Sequence, residues 1–115
     1  MKFLLLIYGD EAKMQALNPE RTAAYVAYAQ ALRQAGVLQG GNRLQPVATA
    51  RTVRRRNGKA SITDGPFAET KEVLGGYVLI DVPDLDAALA WAERCPGAAH
   101  GSIEVRPIWD AAASP

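Results

Sequence analysis

The stretch KFLLLIY, Lys2 to Tyr8, decides the reading of the whole chain. It is too short for a helix of ordinary length and carries no helical period, so it reads as a strand. Along a strand successive side chains point to opposite faces. Phe3, Leu5 and Ile7 then share one face, and Leu4, Leu6 and Tyr8 share the other. A strand that is apolar on both faces needs cover on both.

Working outward, Asn18-Pro19-Glu20 reads as a helix start. Asn18 is the cap, Pro19 takes the first helical position and Glu20 faces the positive end of the helix dipole. Tyr25, Tyr28, Ala29 and Leu32 recur at helical spacing, and Gly36 is placed to stop the helix, giving a first helix over Pro19–Ala35. Val37 to Val47 reads as a strand, bulged at Gly40-Gly41 and broken at Pro46. ARTVRRR and KASIT flank Asn57-Gly58, a strong signal for a hairpin turn. Gly76–Val82 and Ser102–Trp109 read as strands. Asp84 caps a second helix with Leu85, Ala88, Leu89 and Ala92 as its apolar stripe, ended at Cys95-Pro96-Gly97.

The order is β-α-β, a hairpin, then β-α-β: an α+β, ferredoxin-like pattern with an antiparallel sheet and two helices on one face. With no third helix expected, the other face calls for a second copy of the chain, and the sequence predicts a homodimer forming a dimeric α+β barrel. The 115 residues fit one domain, read as 1–110 with a disordered tail at 111–115.

Composition excludes several classes. A net charge of +1 supplies no global field for nucleic acid or an anionic membrane. No run has membrane-spanning length, and the first apolar run lacks a signal-peptide cleavage pattern. A single cysteine, Cys95, fits a reducing, cytoplasmic setting. One Cys and one His rule out a Cys/His metal site, and no phosphate-binding or dinucleotide motif occurs, so neither metal nor cofactor is expected. Arg51, Arg54, Arg55, Arg56 and Lys59 cluster on the hairpin, where charge protects an exposed edge; nucleic-acid binding there is the weaker reading.

The candidate site is TDGPFAETKE, Thr63 to Glu72. Asp64 either ties the Gly65-Pro66 turn or serves as an acid/base group. Phe67 is expected to anchor the loop to the core. If Ala68–Val73 makes a helical turn, Glu69 and Glu72 share a face and form a carboxylate pair, with Lys71 between them; the plainer reading is a solvated charged face. His100 is the only imidazole and either moves a proton or caps helix carbonyls. Tyr8 and Tyr77 either offer hydroxyls to a cleft or lie in the core.

DGPFAETKE at Asp64–Glu72, LGGY at Leu74–Tyr77 and CPGAAHGSIEVRPIW at Cys95–Trp109 together resemble the DGPF branch of the YCII-related proteins. The resemblance runs through nearly the whole chain. It implies a dimeric α+β barrel and, by kinship of fold with muconolactone isomerase, a small-molecule enzyme using a His–Asp pair. The family's histidine lies near the start of the first helix, where this chain reads NPERTAAYV and has none. In the small-molecule reading of the residues themselves, Asp64 is the acid/base or its orienter and His100 its partner, with Tyr8, Phe67, Glu69, Lys71, Glu72 and Tyr77 as ligand-binding residues. The expected function is binding of a small polar molecule near the loop, with metal-free isomerase- or lyase-like chemistry. The branch is also associated with extracytoplasmic-type sigma factors, so an accessory role in transcription initiation is the alternative.

Overall fold

A computed structural model describes residues 1–110; the tail read at 111–115 lies outside the described residues. The strands are β1 (Lys2–Gly9), β2 (Leu38–Arg43), β3 (Arg51–Arg56), β4 (Lys59–Asp64), β5 (Val73–Asp81) and β6 (Ser102–Pro107). The helices are α1 (Glu11–Gln15), α2 (Pro19–Gln34) and α3 (Leu85–Arg94), with short 3-10 turns at Val47–Thr49 and Pro96–Ala99.

Four strands form one antiparallel sheet in the order β2-β5-β1-β6, the ferredoxin-like arrangement, and β3-β4 form a separate hairpin. The caps are those the sequence carries: Asn18 Oδ1 accepts from the Arg21 amide at 3.0 Å, and Asp84 Oδ1 from the Ala87 amide at 2.9 Å. Asn57 and Gly58 take positive φ at the hairpin turn, as a tight two-residue turn requires. β2 is irregular between Leu38 and Gly40, just ahead of the expected bulge at Gly40-Gly41, which themselves pair regularly with Leu79 and Val78.

β1 lies in the middle, and its pairing fixes what each face holds. Phe3 sits opposite Ile80 and Leu5 opposite Val78; these face α2 and α3. Phe3, Leu5, Leu32, Ile80 and Ala88 are sealed from solvent, and Tyr28, Ala92 and Cys95 complete the core. The Tyr28 hydroxyl donates to the Trp91 carbonyl at 2.7 Å, and the two rings meet edge to face, which locks the helices to each other. On the opposite face Leu4 pairs with Leu79 and Leu6 with Tyr77 across β1 and β5. Arg106, Glu104 and Ser102 border them from β6. This second face has an apolar middle that is partly buried in the single chain.

Three expectations are corrected. A third helix exists: α1, capped by Asp10, packs Met14 over Gly9 and Gly75. At about 7.5 Å long it covers only one end of the sheet. Five residues are too few to leave a helical period. The buried stripe of α3 is Ala88 and Ala92 with Ala87 and Trp91 beside them, while Leu85 and Leu89 are each 47% exposed. Small alanines let the helix approach the sheet closely, and Trp91 fills the gap at its margin. Finally, residues 67 to 72 form bends rather than a helical turn, so Glu69 and Glu72 are not a helical pair.

Candidate functional site

The site is built where β1 ends. Tyr8 lies opposite Leu74 on one side and Ser102 on the other. Strand alternation puts it on the open face, in line with Leu4 and Leu6. Two adjoining hollows share it as a wall. The first, about 590 Å³, is lined by Tyr8, Lys71, Glu72, Ser102 and Glu104, among others. The second, about 660 Å³, runs between Tyr8, the Leu44–Ala50 segment and the loop at Pro66–Phe67.

Several contacts hold this geometry. Ser102 Oγ donates to Glu72 Oε1 at 2.7 Å, which pins the carboxylate across from β6 and leaves its second oxygen available. The Thr70 hydroxyl donates to the Glu72 carbonyl and shapes the bend. Glu11 Oε2 accepts from the Val47 amide at 2.9 Å, tying the second hollow's wall to α1. Glu104 pairs with Arg106 along β6. Gly101 lies so close to β1 that a Cβ there would stand 2.1 Å from the Tyr8 carbonyl oxygen, so glycine at 101 sets the position of Tyr8. Among the described residues the Tyr8 hydroxyl and the Lys71 ammonium have no hydrogen-bond or ion-pair partner. The Tyr8 hydroxyl is thus open to solvent, on a side chain that lines both hollows, and is free to bond a ligand.

Tyr8, Lys71 and Glu72 therefore meet in one place, and Phe67 lines the neighbouring hollow. Phe67 does not anchor the loop to the core. It is 78% exposed and lies under the Arg54 guanidinium, 5.5 Å from its ring centre. Tyr77 is further along the open face, where its hydroxyl accepts from Asn42 Nδ2 at 3.0 Å. Glu69 is exposed and borders neither hollow. Asp64, its side chain 88% exposed, pairs with Arg51 at 3.1 Å. The His100 side chain is exposed beyond the Pro96–Ala99 turn, and within one chain it makes no contact with Asp64. Ser102, Glu104 and Thr70 were not among the expected residues. The period-two alternation of β6 placed Ser102 and Glu104 on Tyr8's side and could have found them.

The buried titratable groups lie on the far side of the sheet. Burial pushes the Tyr25 hydroxyl up to about 12, with the neighbouring Cys95 adding to the shift. Burial likewise raises the Cys95 thiol. These groups serve the core. Among the described residues no three His, Cys, Asp or Glu side chains converge as metal ligands would.

An antiparallel sheet of ferredoxin-like order, backed by helices and with open hollows at the end of its central strand, defines an α+β domain. The family model of the YCII-related domain matches residues 1–112, and the chain belongs to that family. An uncharacterised protein from Rhizobium meliloti (strain 1021) is 39% identical over 114 residues, covering 94% of this chain and 92% of that protein. Among solved structures, the 5-chloro-2-hydroxyhydroquinone dehydrochlorinase of Burkholderia phenoliruptrix AC1100, in complex with 2,5-dihydroxybenzoquinone, shares the fold. Its TM-score is 0.59 at 17% identity, over 96% of this chain and 94% of that one. No helix among the described residues is long and apolar enough to cross a membrane.

Proposed function

We propose that this chain, in the cytoplasm, forms a face-to-face homodimer and binds a small, oxygen-rich, anionic molecule in the hollow at Tyr8, with metal-free proton transfer as its chemistry. The observation that carries the reading is the unpartnered Tyr8 hydroxyl beside the pinned Glu72 carboxylate. Tyr8 would donate to a ligand oxygen, Lys71 would balance its charge, and the free Glu72 oxygen would take or return a proton, as isomerase- or lyase-like steps need. The fold neighbour is in complex with 2,5-dihydroxybenzoquinone, so a flat oxygenated ring is the first ligand class to try. The DGPFAETKE motif, which we assign to the DGPF branch, supplies both Lys71 and Glu72.

The test is a thermal-shift screen of hydroxylated aromatic rings and small carboxylates, with Tyr8→Phe and Glu72→Gln beside the wild type. Stabilisation by a compound in the wild type, lost in both variants, is the expected result. Equal shifts in all three proteins, or no shift with any compound of either class, would count against the site. The accessory-protein alternative would use Glu69, which stands free of both hollows, and predicts capture of an extracytoplasmic-type sigma factor that Glu69→Lys abolishes.

A further inference from the structure

The β3–β4 hairpin is the element that the single chain leaves unsupported. Its strands pack substantially only on each other. A two-stranded hairpin alone is at best marginally stable in water. Val53 and Ile62 lie directly opposite each other, on one face, and are 64% and 70% exposed. The chain spreads accordingly. Its radius of gyration is 16.2 Å, where a compact domain of this length has about 13 Å.

The hairpin is closed on itself rather than onto the sheet. Its base is fastened by the Gly65 amide donating to the Ala50 carbonyl at 2.8 Å and by Thr52 Oγ1 donating to the Gly65 carbonyl at 2.9 Å. Its net charge is opposite in sign to that of the rest of the chain. Five of the thirteen basic residues and one of the twelve acidic residues lie between Arg51 and Asp64, so the hairpin carries a formal +4 and the remainder of the chain −3. That split is complementary between copies of one chain, which a two-fold interface needs.

We propose that the hairpin is an intersubunit arm: in the dimer it reaches past the edge of the two packed sheets, lays Val53 and Ile62 against the partner at the Tyr8 end of its sheet, and closes the partner's hollow. The inference rests on the face-to-face dimer proposed above. Each arm strand is about 20 Å long, twice the roughly 10 Å between packed sheets, so the reach suffices. The ligand site is then composite, with a floor from one chain and a basic roof from the other.

The experiment places a photo-activated crosslinker on Arg55→Cys, with Cys95 too buried to compete, in a mixture of light- and heavy-isotope chains. The expected product has twice the chain mass and joins the arm of one isotope to residues 2–9 or 66–81 of the other. In parallel, the double variant Val53→Ser, Ile62→Ser should raise the dimer dissociation constant about tenfold or more while its far-ultraviolet circular dichroism stays that of the wild type. A dimer in sedimentation whose crosslinks stay within single chains, and whose dissociation constant the double variant leaves unchanged, would overturn the arm and leave the dimer standing. A monomer in sedimentation would overturn the dimer itself. Crosslinking of the arm to added DNA, with no joining of chains, would assign the basic arm to nucleic acid and overturn the proposal as well.

Discussion

Leu5 and Leu6 are neighbours in one strand with the same side chain, and their surroundings differ completely. Leu5 is sealed against α2 and α3, with no exposed surface. Leu6 is only partly buried, on the face away from the helices, between Tyr77 and Glu104. The hydrophobic effect acts alike on both, so the apolar area still open on the second face favours further cover. The difference teaches that the helices complete the core on one side of the sheet, and that the hollow proposed to bind ligand lies on the other.

The comparison can be broken by substitution. Leu5→Ala removes buried methyl groups from a closed core and should cost about 2–5 kcal/mol, read by denaturant unfolding as a loss that does not depend on protein concentration. An equal loss for Leu6→Ala under dilute, monomeric conditions would erase the contrast between faces. Leu6→Asp should instead act on association, raising the dissociation constant by about 2–3 kcal/mol, some 30- to 150-fold, in sedimentation. Gly101→Ala drives a Cβ into the Tyr8 backbone and should cost about 1–3 kcal/mol. It should also abolish any ligand-induced thermal shift, because it displaces the floor of the hollow.

Titration sharpens the contrast further. Tyr25 lies on the helix side with its hydroxyl raised to about 12, above the value of about 10 for an unfolded tyrosine. A raised acid contributes stability that is fully present below pH 10 and is lost as pH climbs through 12. Stability of the wild type should therefore fall across that window, and Tyr25→Phe should flatten part of the fall. The smallest effect belongs to Asp64→Asn. The Arg51–Asp64 pair is exposed, so its loss should cost less than about 0.5 kcal/mol.

The parts legible in the sequence were those with local chemistry. Asn18-Pro19, Asp84 and Asn57-Gly58 mark helix starts and a turn by backbone rules that need no tertiary context. The two-sided apolar pattern of β1 is likewise a purely local signal. What escaped depends on packing. The five-residue α1 is too short to show a period, and α3 uses alanines where leucines were expected to face inward. Phe67 looked like an anchor because a phenylalanine in a polar loop usually is one, yet it rests on Arg54 in the open. At the site, the charged loop pointed to Lys71 and Glu72 and strand alternation to Tyr8. Pairing Asp64 with His100 required knowledge of distant geometry, and one chain keeps them out of contact.

The most direct measurement is the mass of the chain in solution by sedimentation equilibrium at low micromolar concentration. A covered second face predicts a species of twice 12.3 kDa, dissociated by Leu6→Asp without unfolding. A folded, monodisperse wild-type protein of 12.3 kDa at that concentration, its open sheet face wet, would contradict the account.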